Sequence, residues 1–270
     1  MCVLGYSSQY RRRSPWQAPG ASEWNLSDVR AASLLADNAN GFLAVALKHV
    51  AASTGLTIDF VNPPQPFEVD LGFIPALAYV LQADAPQPRY DQLAAPVLRF
   101  PRGNSRPEYF ADVVVRADSP YRTLDDLRGT VFTCNSTDSN SGYNLLRQHL
   151  ALQGNFRGFF REVIFSGAHL DSLRLVRDGE AQCAAVDCTV LAFESALSLS
   201  DLRVVASLGP SPAPPAVLAR VNYLFEEIQQ ALFTLSCDGW PIERFAAVTD
   251  ADYDAVRRTA HAAATVRLGD

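Results

Sequence analysis

NSTDSNSGYNLLRQHLA, residues 135–151, is the stretch on which the reading of this chain turns. It follows an apolar strand-like run, TVFTCN (130–135), and passes into helical periodicity from Gly142 to Gln153. Its first residues carry small polar side chains up to Gly142. A helix start leaves backbone N–H groups unpaired and presents the positive end of the helix dipole. Hydroxyls and an amide from Ser139, Asn140 and Ser141 would add donors, making a cradle for a phosphate-like or carboxylate group. The same loop also reads as an ordinary helix cap. No Gly-Lys-Ser/Thr follows, so it is not a nucleotide-hydrolysing phosphate loop.

Working outward, three more strand-to-helix junctions stand out. FSGAHLDS (165–172) carries His169 at a helix start, and AAVDCT (184–189) ends an apolar strand with Asp187. LGFIPALAY (71–79) enters a helix through Phe73, Ile74 and Pro75. In parallel sheets ligands gather at the carboxyl ends of strands, where all four junctions would lie. Packing or capping is the alternative for His169. Asp187 is expensive to bury without partners, and binding a ligand, orienting His169 and capping the next helix all remain open.

The rest of the chain reads as strands alternating with helices, the pattern of an α/β protein. Strands are expected at 29–35, 56–61, 69–74, 109–116, 130–135, 163–165, 183–187 and 202–207, with one more near 96–100 in the otherwise irregular 82–108. Helices are expected at 42–52, stopped by Gly55 behind a cap at Asp37 and Asn38, and at 76–81, 124–129, 142–153, 170–178, 190–197, 218–235 and 250–264. GPSPAPP (209–215) reads as extended and irregular. Residues 1–24 read as an irregular arm.

Composition sets outer limits. The 270 residues are 48% hydrophobic and 19% charged, ordinary for a globular protein with a sizeable core. A net charge of -6 argues against a nucleic-acid binder but not against a local anion site. Lys48 is the only lysine. Five cysteines (Cys2, Cys134, Cys183, Cys188 and Cys237) without a C-x-x-C suggest neither a disulfide framework nor a zinc site, and no cofactor or metal is expected. The first twenty residues lack the apolar core of a secretory signal despite Arg11-Arg12-Arg13, and no run of eighteen apolar residues occurs.

In order and spacing, VDLGFIPALAY (69–79), YFADVVVRADSPYRTLDDLRG (109–129), NSTDSNSGYNLLRQHLA (135–151), FFREVIFSGAHLDSLRLVRDGEAQCAAVDCTV (159–190) and LGPSPAPPAV (208–217) resemble the phosphonate/phosphate-type solute-binding proteins of ABC transporters. These belong to the type 2 periplasmic-binding-protein superfamily. The resemblance covers roughly residues 29 to 260. It implies a two-lobed α/β Venus-flytrap fold with a ligand cleft between lobes. Residues 25–111 and the return at 202–270 would form the first lobe and 112–201 the second, with crossings near Asp112 and Val204. It implies a small anionic ligand held by Ser139, Asn140, Ser141, His169, Asp187, Phe73, Ile74 and Pro75, a periplasmic monomer, and ABC membrane subunits as partners. The family has a hydroxyl residue where this chain has Asn140. It also has a helix where this chain has only the proline-rich Asn62 to Glu68. Without a visible signal peptide, a cytoplasmic enzyme on the same scaffold, similar to the pyrimidine-forming proteins of thiamine biosynthesis, or a cytoplasmic ligand sensor are the alternatives. For the enzyme, His169, Asp187 and Cys188, with Cys134, are the candidate set.

Overall fold

Residue 28 opens the described chain: the computed structural model describes residues 28–64, 67–99, 105–194, 199–220 and 222–269. The expected N-terminal arm and Cys2 lie outside these. Strand β1 (Asp28–Ser33) leads through a 3-10 turn to helix α1 (Asn40–Thr54). The helix buries Phe42, Leu43, Ala46, Leu47 and Val50, one face of the 3.6-residue repeat. It stops at Gly55, whose φ of 74° is the left-handed conformation that lets its N–H close on the Ala51 carbonyl. Strands β2 (Thr57–Phe60) and β3 (Leu71–Phe73) flank β1 in parallel, and α2 (Ala76–Ala83) follows.

β4 (Tyr90–Leu98) completes this part of the first sheet before the chain crosses to a second. The second sheet holds β5 (Glu108–Arg116), β6 (Val131–Cys134), β7 (Glu162–Phe165), β8 (Cys183–Asp187) and β9 (Leu202–Pro212), in the order β7-β6-β8-β5-β9. Helices α3 (Leu145–Leu152), α4 (His169–Arg177) and α5 (Cys188–Phe193) connect them. The chain then returns through β10 (Ala216–Ala219), α6 (Phe225–Phe233), β11 (Ile242–Ala246) and α7 (Asp254–Ala263). The first sheet is ordered β11-β4-β10-β3-β1-β2, with the returning strand β10 antiparallel between β3 and β4.

Several expectations about local structure fail for physical reasons. Residues 82–108 hold a nine-residue strand, β4, and its Pro96 lies past Ala94, where the β10 ladder ends. The proline-rich 209–215 is in large part β9, which runs to Pro212. An edge strand tolerates prolines because one side needs no ladder hydrogen bonds, and its register against β5 shifts between Tyr109 and Ala111. The apolar run at 216–219 is a buried strand rather than the start of a helix, and β11 was not expected at all. Asp37 and Asn38 do not cap α1: the N-cap is Ala39, with no side-chain cap bond.

Strand pairing also moves the crossings. Glu108 pairs with Pro212 inside the second sheet, as does Asp112 with Ser207 and Val114 with Val204. The passage between sheets therefore falls between β4 and β5 and between β9 and β10, not near Asp112 and Val204, which lie mid-ladder. The C-terminal helix, expected with the first lobe, touches both. Arg257 pairs with Asp84 at 2.7 Å on the α2 side, while Thr259 bonds Gln148 of α3 at 3.1 Å. Beyond α7, the Val266 carbonyl accepts from Arg147 and the Leu268 carbonyl from the Phe160 N–H.

Candidate functional site

The polar loop after β6 folds as a helix start, though an unusual one. Ser139 is extended (φ -84°, ψ 128°) and its Oγ accepts the Gly142 N–H at 2.9 Å. The first turn, Asn140–Asn144, is a wide π turn that runs on into α3. Its ladder begins with the Asn144 N–H on the Ser139 carbonyl, so the amides of Asn140 and Ser141 lie ahead of it. A Cβ at Gly142 would come within 2.1 Å of Asn135 Oδ1 and 3.0 Å of Ser139 Oγ. A larger residue there would have to push aside the Asn135 amide and the Ser139 hydroxyl.

Between the two sheets lies a cavity of about 870 Å³. Seven of the eight expected residues line it: Phe73 and Pro75 from the first lobe, and Ser139, Asn140, Ser141, His169 and Asp187 from the second. Ile74 does not. It turns into the cluster of Val217 and Tyr253, and its N–H bonds the Pro215 carbonyl. Alternation along β3 sends neighbouring side chains to opposite faces, so Phe73 faces the cavity and Ile74 cannot.

The second-lobe residues form a connected polar edge. Ser139 Oγ lies 3.5 Å from Ser141 Oγ, which lies 3.4 Å from His169 Nε2. Burial pushes His169 down to about 4, so its ring is neutral near pH 7. Its Nδ1 is buried without a partner among the described residues. Asn140, 3% exposed, donates to Tyr109 Oη at 2.9 Å and to Ser211 Oγ at 3.0 Å, and its Oδ1 has no partner. It therefore ties the helix start to β5 and β9 and does not simply replace the family's hydroxyl. Asp187 Oδ1 accepts from the Thr189 N–H at 2.8 Å and from Thr189 Oγ1 at 2.6 Å, capping α5 while lining the cavity. Burial raises its carboxyl to about 6, against the Thr189 bonds that lower it.

The residues of the enzymatic alternative are engaged elsewhere in part. Asp187 is committed to Thr189, and Cys188 Sγ accepts the Phe110 N–H. Burial raises the Cys134 and Cys183 thiols to about 12, far from the thiolate form a nucleophile needs. No cluster of His, Cys, Asp or Glu suited to a metal ion occurs among the described residues. Arg116 pairs with Asp118 at the surface and Arg147 lies over the Tyr143 ring; neither lines the cavity.

Several lining residues escape sequence reasoning. Tyr109 holds Asn140, and Asn38 donates to the Val190 carbonyl at 2.9 Å, joining the 3-10 turn before α1 to α5. Phe42, Phe193 and Phe245 form one wall. Of these, only Asn38 carries a sequence signal, its polar side chain, and that signal reads equally as a helix cap.

A family model described as "ABC transporter, phosphonate, periplasmic substrate-binding protein" matches residues 68–253. The chain belongs to that family. Its members are substrate-binding components of ABC transporters. The fold extends beyond the matched stretch. A phosphonate-binding protein from Prochlorococcus marinus, solved with methylphosphonate, superposes with a TM-score of 0.73 at 15% identity, over 90% of this chain and 100% of that one. The binding component of a phosphonate ABC transporter from Pseudomonas aeruginosa gives 0.70 at 15% identity, over 86% and 85%. The alkanesulfonate-binding protein of Xanthomonas axonopodis, bound to MOPS, gives 0.62 at 17%, over 89% and 94%. These likenesses establish the expected two-lobed type 2 periplasmic-binding-protein fold. The described residues of 61–70 hold no helix between β2 and β3, the departure from the family that the proline-rich Asn62 to Glu68 points to.

Proposed function

We propose that this protein captures a small oxyanion (a phosphonate, phosphate, phosphite or similar group) by closing its two lobes around it, as the binding component of an ABC-type importer. On this reading it works in the periplasm as a monomer and passes its ligand to the membrane subunits. The observation that carries the reading is the run Ser139–Ser141–His169 at a helix start, opening on a cavity lined by residues of both sheets. Free amides, hydroxyls and a neutral imidazole stabilise an anion by hydrogen bonds without a full countercharge. Arg and Lys are absent from the lining among the described residues, so binding rests on oriented dipoles.

Thermal denaturation with a panel of phosphonates, phosphate, phosphite and sulfonates tests this directly. Members of the panel should raise the melting temperature. The double substitution Ser139→Ala, Ser141→Ala should abolish the shift, with the unliganded melting temperature lowered only by the few degrees that losing the Ser139 cap costs. A full panel without any shift sinks the proposal.

A further inference from the structure

The cavity is too large and too apolar on one side for a bare oxyanion. Opposite the Ser139–His169 edge, Phe42 of α1 stacks on Phe245 of β11 with centroids 6.1 Å apart and planes 12° apart. Phe193 of α5 meets Phe42 at 6.0 Å, and Trp240 backs both rings. Leu35, Pro75 and Ile242 extend the same apolar surface. This volume does not arise from lobes held apart. The Asn38–Val190 hydrogen bond and the Phe42–Phe193 contact already join the two halves. At about 870 Å³ the space suits a ligand near the upper end of the usual pocket range of about 300–1,000 Å³. A phosphate-sized ion would leave the aromatic wall wet.

Charge narrows the class further. The ionisable lining groups among the described residues are Asp37, Asp138, Asp187, His169 and Tyr109, whose hydroxyl burial holds neutral. One donor cluster therefore serves one anionic group, and three carboxylates oppose a second. Resting on the capture function above, we infer that the ligand is an organic oxyanion with a single anionic head and an aryl or branched-alkyl body, the head at Ser139, Ser141 and His169 and the body against Phe42, Phe193 and Phe245. The ring cluster draws one member, Phe193, from the second-lobe side and two from the first. A bulky body would thus be gripped from both sides, while a methyl group would reach neither.

Calorimetric titration of the full chain with methylphosphonate, butylphosphonate, phenylphosphonate, inorganic phosphate and ATP separates the possibilities. Phenylphosphonate should bind about thirtyfold more tightly than methylphosphonate, the gain expected for burying one apolar group, with butylphosphonate between them and ATP without measurable binding. Phe193→Ala should remove most of the phenyl advantage, lowering phenylphosphonate affinity far more than methylphosphonate affinity, which loses only what the Phe42–Phe193 contact gives to lobe closure. Phe193→Leu, which keeps the volume, should retain part of it and guards against a folding defect in the alanine variant. Equal affinities across the phosphonates, or tighter binding of ATP, would overturn the inference while leaving anion capture standing. No heat from any of the five would overturn both.

Discussion

The two sides of the cleft are built in opposite ways. On the second-lobe side the polar edge comes mainly from one contiguous loop, 135–142, plus His169 and Asp187 at neighbouring strand ends. On the first-lobe side the wall is assembled from α1, β3 and β11, which are far apart in the chain. Hydrogen-bond geometry at a helix start is local and needs particular residue types at fixed offsets. Apolar enclosure needs only hydrophobic surface of suitable shape, and many sequences supply it. The contrast implies that head-group recognition tolerates little change, whereas the body of the ligand is set by a surface free to vary.

The largest expected effect lies on the polar side, in two titrations that oppose each other. His169 has its folded value lowered to about 4, so the stability it allows at neutral pH is lost as pH falls from about 6.5 to 4. Asp187 has its folded value raised to about 6, so its protonated form favours folding at low pH and that benefit is lost as pH rises from about 4 to 6. Each is worth about 3 kcal/mol by linkage, and they nearly cancel in the wild type. Asp187→Asn, which keeps a capping side chain, should therefore lose stability on acidification relative to wild type. His169→Asn should gain it. Urea unfolding at pH 4 to 7 reads both, and parallel curves for all three proteins would mean that neither group is as buried as the structure places it.

Next comes Gly142→Ala. Helix propensity alone favours alanine, but the new methyl group meets Asn135 Oδ1 and displaces the Ser139 cap. We expect a cost of about 2 kcal/mol from overpacking and loss of oxyanion binding in a thermal-shift assay. A stabilised variant that still binds would erase the distinction between the two sides.

Asn38→Ala tests the seam between the lobes. It leaves the Val190 carbonyl without its donor and should weaken ligand binding by about 1 kcal/mol, the value of one hydrogen bond. Titration calorimetry would detect the roughly fivefold change. The smallest effect belongs to Arg116→Ala. Its pair with Asp118 is exposed and remote from the cavity lining, so affinity and melting temperature should both stay at wild-type values. A clear loss of affinity would place a long-range charge effect where dipoles are held to suffice.

The local character of the polar edge is also why the sequence revealed it. Ser139, Ser141, His169 and Asp187 each sit where a strand ends and a helix begins, and that boundary shows in periodicity and cap residues. The aromatic wall left no such trace, because an isolated Phe42 or Phe245 reads as core in any fold. Ile74 reads with Phe73 as lining because the junction is legible in sequence and the facing of each side chain is not. The run AVLA at 216–219 shows a related limit: a short, wholly buried strand has no alternation to separate it from a helix. Asn140 was read as an altered anion contact, and its ties to Tyr109 and Ser211 depend on β5 and β9 meeting in space.

The segment that follows α7 has a consequence for how the molecule folds. The second sheet has all its strands by Pro212, yet Phe160 and Arg147 also bond the Leu268 and Val266 carbonyls, which lie far beyond it in the chain. The first sheet likewise stays open until β10 and β11 arrive. Neither half is complete without the segment that follows β9, so the two should gain their stability together, in one cooperative event.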